Sequence, residues 1–559
     1  MNNSHPQKIS NPLRPELPSD YYHTNFLELI HTVSEQYADL LREEEQHWVD
    51  TFNQLTHTAQ QLYIRLLSRK GDIYRQGKLH YTEINNIPKA CQQLANAELI
   101  SVISEHSPHI DTLRPRVFNL FTKPELVSKF PHILVKKDLP KPKIIDLLCK
   151  ENIEINACGE SIIQVSHPQF LTTFLLCFFG NTHQTLSQFV ISDLGIQQFE
   201  TYTIDRNTRF FKHRRDMESW LLLSSLNEAY WQAKQEKNTE QFNKLLTQLP
   251  PPFSWAKLER KRCRLLNHLA RELERQAGSD STKLKAALAL YKQNDLPPSR
   301  ERQVRILDKL GEHAEADSIA KEMLASPQNE EERDTATRLC RNLARQLKRP
   351  FTPATKPPIT QSKLSIPNTD LRVERAVADY YEQQGWQAYY VENTLFTALF
   401  GLLFWDIIFS PVEGAFQNRF QRSPYDMFSS EFYPTRQKAI DHRLDMLETG
   451  QWQNWSVVYQ SKYGISNDWV AWHLVSSTLV DQATALLSPQ ALSGIFRRIL
   501  FDPRNNRSGF PDLILISTDN IKLVEVKGPG DKLQHNQIRW FETFTELGIP
   551  AEVAYVEWI

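Results

Sequence analysis

Apolar positions follow two different rhythms along the chain. Before about residue 350 they recur mostly at helical spacing, which predicts amphipathic helices, the first of them from Tyr21 to about Gln61. Beyond about residue 370, short apolar runs of strand length alternate with helical stretches. The pattern therefore predicts a multidomain, mostly α-helical protein that ends in an α/β domain around a small mixed sheet.

The region 62–164 has the order of a winged-helix unit. A helix, a strand with a turn and a second helix follow one another between Leu62 and Ala97. Further on, Leu134–Lys150 resembles the leucine-rich helical pair of SAP-type DNA-binding motifs. We therefore predict an N-terminal helical segment at 1–61, with a loose polar start, and a winged-helix and SAP-like DNA-binding region at 62–164.

The region 165–350 is helical in pattern almost throughout. Within it, Leu307–Ala316 resembles part of one tetratricopeptide repeat (TPR), and units of this kind stack into solenoids. The next segment is rich in Pro, Thr, Ser and Lys and has no apolar period, which is typical of a linker. We therefore predict a helical TPR-like repeat domain at 165–350, a linker at 351–369 and a C-terminal domain at 370–559.

A β-hairpin is predicted near the end of the chain. Two apolar runs, Leu513–Ile516 and Ile521–Val526, flank the turn-forming residues Thr518–Asn520. Side chains alternate along a strand, so Glu525 and Lys527 share one face while the residue between them points into the core.

The position of the turn decides which residue lies opposite Asp512. A turn centred on Thr518 and Asp519 places Asp512 across from Glu525, whereas a turn centred on Asp519 and Asn520 places it across from Lys527. In either register, two carboxylates and one ammonium group gather on one face of the hairpin.

Such a group of charges suits divalent-ion chemistry. Two neighbouring carboxylates resist joint ionisation unless a cation lies between them, and oxygen ligands of this kind suit Mg²⁺ or Mn²⁺. A lysine beside the ion completes the equipment for metal-assisted phosphodiester hydrolysis. The bare spacing of Asp512, Glu525 and Lys527 is more typical of a surface salt bridge on an ordinary hairpin. The preceding Pro511 and the strand context favour the metal site.

Glu392 precedes an apolar segment, Leu395–Phe409, which is shorter than a membrane span, contains Asp406 and is predicted to be a buried helix. Spacing alone favours an ordinary first-turn glutamate, stabilised by the helix dipole. The amphipathic helix before it, Leu371–Gln384, has Asp370 as its predicted N-cap.

The charge balance places DNA binding on local basic faces. With 65 basic and 66 acidic residues the net charge is −1, so bulk attraction to nucleic acid is not expected. Basic residues do cluster on a turn and on two helical segments, where solvated faces are the alternative interpretation. The predicted DNA-binding residues in these clusters are Arg69, Arg209, Arg260, Arg262 and Arg264.

The six cysteines form no C-x-x-C pair, which argues against a zinc finger and a disulfide framework. The N-terminus lacks a signal-peptide pattern, and we expect a cytoplasmic protein.

The C-terminal motif resembles a known nuclease branch. Pro511-Asp512 followed by Glu525-Val526-Lys527-Gly528-Pro529 resembles the VRR-Nuc branch of the PD-(D/E)xK nuclease superfamily. Together with Val391–Phe409 and Leu523–Gln537, it resembles the Fanconi-associated nuclease family, in a bacterial-type form without the ubiquitin-binding zinc finger.

The resemblance implies a site and an activity. Glu392, Asp512, Glu525 and the Val526 carbonyl would bind one or two Mg²⁺ or Mn²⁺ ions, Lys527 would be catalytic, and Gln537 would be the helix glutamine near the site. It further implies a nuclease that cuts 5′ flaps and degrades DNA in the 5′→3′ direction, acts on branched or flapped DNA, and takes part in interstrand crosslink repair in the bacterial nucleoid.

Where some relatives carry a basic residue for a 5′ phosphate, this chain has Asn536, so Lys532 or the arginines at 260, 262 and 264 would have to serve. A four-way-junction resolvase and a non-catalytic DNA- and protein-binding scaffold are the alternative functions.

Overall fold

The computed structural model describes residues 20–131, 133, 139–182, 184, 197–352, 356–368 and 371–559. The chain divides into two compact units. The first combines the residues up to Gln197 with Phe210–Met217, and the second combines Gln198–Arg209 with Glu218–Ile559.

The first unit is helical with one small sheet. Its strands β1 (Ile73–Arg75), β2 (Ile100–Val102) and β3 (Ile162–Val165) are antiparallel with β3 in the middle. Its helices are α1 (Tyr21–Tyr37), α2 (Glu43–Asn53), α3 (His57–Leu67), α4 (Ile87–Asn96), α5 (Ile110–Asn119), α6 (Lys123–Lys129), α7 (Lys141–Lys150) and α8 (Gln169–Phe179).

The helix–strand–helix order predicted for this region is present, but two predicted boundaries are wrong. The boundary between residues 61 and 62 falls inside α3, and across it Trp48 Nε1 donates to Tyr63 Oη at 2.8 Å in a buried aromatic core. The boundary after residue 164 falls inside β3. Helix α7 covers the second half of the SAP-like motif, and residues 134–138 lie outside the described part of the chain.

Packed helices form the first part of the second unit. They follow α9 (Arg214–Gln235), which begins in the first unit. From α10 to α15, each helix packs against the one that follows it in the chain, as in a helical repeat. These helices are α10 (Thr239–Gln248), α11 (Ala256–Ala277), α12 (Ser281–Tyr291), α13 (Ser299–Lys309), α14 (His313–Ala325) and α15 (Glu330–Gln346).

A five-stranded mixed sheet forms the second part of this unit. Its order is β4-β8-β7-β6-β5. The pairs β4/β8 and β8/β7 are parallel, and the pairs β7/β6 and β6/β5 are antiparallel. The strands are β4 (Thr360–Ile366), β5 (Gln387–Tyr390), β6 (Leu513–Ile516), β7 (Ile521–Lys527) and β8 (Ala551–Trp558).

Helices cover both faces of this sheet. One face packs on a core that includes Val377 and Tyr381, and the other packs on a larger aromatic core around Phe400 and Trp469. The helices are α16 (Val373–Glu382), α17 (Leu395–Leu403), α18 (Trp405–Ile408), α19 (Phe432–Glu448), α20 (Trp455–Lys462), α21 (Ser477–Leu486), α22 (Pro489–Phe501) and α23 (His535–Glu546).

Three details differ from the sequence-based expectations. Strand β4 lies inside the predicted 351–369 linker, because its backbone completes the sheet along β8 although its side chains have no regular apolar period. The apolar segment 395–409 is two helices that meet at Phe404. The predicted cap Asp370 lies outside the described residues, and Arg372 precedes the first turn of α16. Among the described helices, every one is too short or too polar to cross a membrane.

Candidate active site

The hairpin adopts the first of the two predicted registers. Leu513 lies opposite Val524 and Ile516 opposite Ile521, so the turn is centred on Thr518 and Asp519. Continued by one residue, this register places Asp512 across from Glu525. The length of the turn fixes the pairing, because a shift by one residue would move the side chains of one strand to the opposite face of the sheet.

Strand β5 brings Glu392 to the same place. Tyr390 pairs with Leu513, and the Val391 amide donates to the Asp512 carbonyl at 2.8 Å, so Glu392 follows directly at the edge of the site. It lies before α17 and outside the first turn of that helix. The first-turn interpretation of Glu392 is therefore wrong.

Asn393 anchors this junction. Its backbone is in the left-handed region with φ of +52°, and its Oδ1 accepts hydrogen bonds from the amides of Gly509 at 2.8 Å and Phe510 at 3.2 Å. The side chain thereby ties the end of β5 to the chain that enters β6. No sequence pattern had singled out Asn393, although asparagine is the residue that most readily adopts this backbone conformation after glycine.

The hairpin carboxylates are buried and held near each other. Burial raises the pKa of Asp512 to about 6, and the charge of Glu392 adds to the effect. Burial, followed by the charge of Asp512, raises the pKa of Glu525 to about 7. Glu525 is only 2% exposed and its Oε1 lies 2.9 Å from Lys527 Nζ. The surface-salt-bridge alternative is therefore wrong, since all three groups are withdrawn from solvent.

Gln537 connects Glu525 and Lys527. Its Nε2 donates to Glu525 Oε1 at 2.5 Å, and its Oε1 accepts from Lys527 Nζ at 3.1 Å. The same Oε1 accepts from the Gln534 amide at 2.9 Å, which caps the start of α23. The helix therefore positions the glutamine, and the glutamine positions the acid and the ammonium group.

Pro511 leaves a backbone oxygen available beside these side chains. The Ser517 amide donates to the Asn520 carbonyl, and alternation along the ladder makes 511 and 526 a hydrogen-bonding pair. Pro511 has no N–H, so it cannot donate to the Val526 carbonyl. The Val526 amide instead donates to Asp512 Oδ2 at 2.9 Å.

The donor set fits a divalent cation. Glu525 Oε2 is buried and has no hydrogen-bond partner within the described chain, which is costly unless a cation neutralises it. As the side chains lie, with Glu525 turned to Lys527 and Glu392 bonded to Tyr390, the described residues contain no group of three or more His, Cys, Asp or Glu arranged to hold a metal ion.

Two of the predicted DNA-binding arginines are buried. Arg262 is 2% exposed and donates to both carboxylate oxygens of Glu259, from 2.8 Å to 3.1 Å. Arg209 is 5% exposed. Neither guanidinium is available to a phosphate, so both predictions are wrong. Arg262 lies on the core side of α11, which the count of basic residues along the helix could not reveal.

Arg260 and Arg264 line a cavity of about 240 Å³ together with Arg504. Arg260 lies 2.8 Å from Glu431, and no salt bridge is found for Arg264 or Arg504 within the described chain. Arg264 is exposed to solvent within the cavity, yet the protein atoms around it and the charges of Arg260 and Arg504 lower its pKa, so these arginines bring positive charge together there. Arg504 was not predicted, since its loop carries no recognisable pattern.

The two remaining predicted DNA-binding residues are exposed. Arg69, in the first unit, has its Nη1 3.1 Å from Tyr81 Oη, and Lys532 lies between β7 and α23. Their role in DNA binding stays a prediction.

Comparisons with known proteins agree with this site. The model of the FAN1 HTH domain matches residues 20–101, and the model of the VRR-NUC domain matches residues 450–558. The second match contains Asp512, Glu525 and Lys527, whereas Glu392 lies before it.

Whole-chain relatives extend the likeness. The Fanconi-associated nuclease 1 homolog of Pseudomonas aeruginosa is 33% identical over 99% of this chain and 98% of its own length. Human Fanconi-associated nuclease 1 is 25% identical over 96% of this chain, which spans 62% of the human protein. The crystal structure of paFAN1 bound to 2-nucleotide 5′-flap DNA with a gap superposes with a TM-score of 0.78, at 31% identity over 98% of this chain and all of that one. The chain therefore belongs to the Fanconi-associated nuclease family.

Proposed function

We propose that this protein is a metal-dependent, structure-specific DNA nuclease that hydrolyses phosphodiesters at 5′ flaps. The observation that carries the proposal is the convergence of Glu392 with the buried Asp512, Glu525 and Lys527, from segments more than 100 residues apart in the chain. Keeping two acids with raised pKa values beside a lysine is unfavourable for folding alone, which supports a catalytic purpose.

The site residues divide the work. Glu392, Asp512, Glu525 and the Val526 carbonyl would hold Mg²⁺ or Mn²⁺, which would activate water and stabilise the leaving oxygen when bound. Lys527 would place its positive charge beside the phosphate oxygens as negative charge develops on them. Gln537 keeps Lys527 and Glu525 in contact through its amide.

The arginine cavity would receive a phosphate at the 5′ end of the flap. Arg264 and Arg504 carry charges that the described chain leaves without a salt bridge, and a phosphate neutralises such a cluster. Arg69 and Lys532 would contact the DNA backbone. Contacts of this kind select DNA by its shape and phosphates and do not read bases.

The structure with a 2-nucleotide flap and a second one, paFAN1 bound to a 1-nucleotide 5′ flap with a gap (TM-score 0.76, 31% identity), support flapped DNA as the substrate. We extend the proposal to 5′→3′ exonucleolytic degradation, to repair of interstrand crosslinks and to a cytoplasmic place of action. A four-way-junction resolvase is the alternative within the same chemistry.

The decisive test compares Asp512→Ala with Asp519→Ala. Both remove an aspartate from the same hairpin, but Asp519 lies in the exposed turn. With Mn²⁺, we expect wild type and Asp519→Ala to cut a labelled 5′ flap, Asp512→Ala to bind it without cutting, and EDTA to stop all cleavage. Cleavage by Asp512→Ala, or in EDTA, would contradict the proposal. Faster cutting of a four-way junction than of the flap would favour the resolvase.

A further inference from the structure

A buried acid lies outside the proposed catalytic group. Glu330, the first residue of α15, is 0% exposed. Its Oε1 lies 2.9 Å from Arg498 Nη2 and accepts a hydrogen bond from Asn506 Nδ2 at 3.0 Å. Its amide donates to Asp502 Oδ2 at 3.0 Å. Both the side chain and the backbone of Glu330 are therefore bonded to the segment 498–506.

These bonds hold the base of a short loop. Within it, the Asp502 carboxylate accepts hydrogen bonds from the amide of Asn505 at 3.2 Å and from its side chain at 2.8 Å. Asn506 Nδ2 also donates to the Arg498 carbonyl at 2.8 Å. Between these fixed points the loop carries Arg504, which is exposed and lines the arginine cavity. Glu330 thus fixes the backbone that presents Arg504.

The chain that follows this segment is fixed against α23, the helix that carries Gln537. Trp540 Nε1 donates to the Ser508 carbonyl at 3.1 Å. Gly509 has φ of +92° and lies so close to Asn536 that a Cβ atom would be 2.8 Å from the Asn536 side chain. Only a few residues then separate this point from Asp512. The path from Arg504 to Asp512 is therefore held at both ends.

Burying a carboxylate is costly unless charged partners surround it. Besides Arg498 at 2.9 Å, Arg333 lies 3.6 Å and Arg539 3.8 Å from the Glu330 carboxylate. An apolar residue would join α15 to the loop without this cost. The arrangement instead supplies a directional bond to each part of the segment, as a positioning function requires.

We propose that Glu330 is a positioning residue that sets the distance between the arginine cavity and the catalytic carboxylates. With a 5′ phosphate in the cavity, this distance decides which phosphodiester reaches Asp512. The inference rests on the proposed function for the substrate and the cavity, and it adds a residue of the helical repeat that determines the site of cleavage.

The test compares Glu330→Gln with Glu332→Gln. Glu332 lies two residues later on α15, is 5% exposed and pairs with the buried Arg300 at 2.6 Å, but it makes no hydrogen bond or salt bridge to 498–506 within the described chain. Both variants therefore lose a buried carboxylate charge from the same turn of α15. Only Glu330→Gln changes a side chain that is bonded to the segment 498–506.

Two readouts are taken on a 1-nucleotide 5′ flap with a 5′ phosphate or a 5′ hydroxyl. The first is the ratio of the two dissociation constants, measured in EDTA with Asp512→Ala present in every protein. The second is the position of the cut with Mn²⁺ and Asp512 intact. We expect the ratio of the two dissociation constants to fall about tenfold in Glu330→Gln, which is the effect of losing one charge-assisted hydrogen bond. We also expect this variant to cut at several neighbouring positions. Glu332→Gln should keep the preference and a single cut site.

Equal phosphate preference and an unchanged cut site in Glu330→Gln would overturn the inference. So would equal losses in both variants, which would indicate general destabilisation, or the lack of any phosphate preference in wild type. If Glu330→Gln does not fold, Asn506→Ala removes the loop side of the same bond and is judged by the same outcomes. Failure of wild type to cut any flap would contradict the proposed function, and the binding ratio would still decide the role of Glu330.

Discussion

Gln537 Nε2 lies 2.5 Å from Glu525 Oε1, while the oxygen of the same amide accepts from Lys527. One neutral side chain therefore orients both the Glu525 carboxylate and the Lys527 ammonium group. We expect Gln537→Ala to lower kcat about tenfold or more with little change in KM, since it removes both charge-assisted hydrogen bonds that orient Glu525 and Lys527. Steady-state cleavage of a 5′ flap would check this.

Gln537→Glu is a second test of the role of Gln537. It keeps the size of the side chain but places another negative charge beside Glu525, whose pKa is already raised by burial and by Asp512. We expect a larger loss of kcat than in Gln537→Ala at neutral pH. Wild-type kcat in both variants would show that the glutamine only caps α23.

The raised pKa of Asp512 predicts a specific dependence of stability on pH. In the metal-free protein the folded state binds the Asp512 proton more tightly than the unfolded state, so the contribution of Asp512 to stability is fully present below about pH 4 and falls as pH rises through about 6. Asp512→Asn removes this loss, and we expect a gain of about 1–3 kcal/mol in the free energy of unfolding at pH 8. Urea unfolding in EDTA at pH 4.5 and 8 would measure it.

Added Mn²⁺ provides the control for that measurement. It should raise the melting temperature of wild type, because binding to the folded state alone stabilises it, and should have little effect on Asp512→Asn. The same fall in stability with pH in both proteins would contradict the assignment.

Pro511→Ala tests whether the Val526 carbonyl is a metal ligand. Alanine would supply an N–H opposite the Val526 carbonyl and let the ladder close there. We expect the fold to persist, and cleavage to need roughly tenfold more Mn²⁺ for half-maximal rate, as for a lost ligand. A metal titration of the rate would check this. An unchanged titration would mean that the lack of an N–H at residue 511 does not affect metal binding.

Arg264→Ala and Arg262→Ala are a matched pair on α11. Arg264 is exposed in the arginine cavity, so its loss should weaken binding to a 5′-phosphorylated flap with little effect on stability. Arg262 is buried against Glu259, so its loss should cost about 3–5 kcal/mol of stability. Fluorescence anisotropy and thermal melting would separate them, and the reverse pattern would restore Arg262 as a DNA contact.

Sequence reasoning worked best where the signal was local. The hairpin followed from two short apolar runs and the turn between them, and the family motif supplied Glu392, which spacing alone had assigned to the first turn of a helix. It failed where the answer depended on tertiary packing. Helix periodicity could not tell that Arg262 faces the core while Arg264 faces the cavity, and Arg504 belongs to a loop whose position depends on a distant helix. The outer strand β4 was missed because edge strands need little apolar pattern to pair.

That outer strand has a practical consequence. β4 pairs with β8 along its whole length, so a nuclease fragment begun at residue 370 would lack the edge strand of the sheet and leave the backbone of β8 unpaired on that side. Exposed edges of this kind recruit other chains and lead to aggregation. An isolated catalytic fragment should therefore start before residue 356, and the insolubility of a shorter one would reflect the missing strand and carry no information about the chemistry.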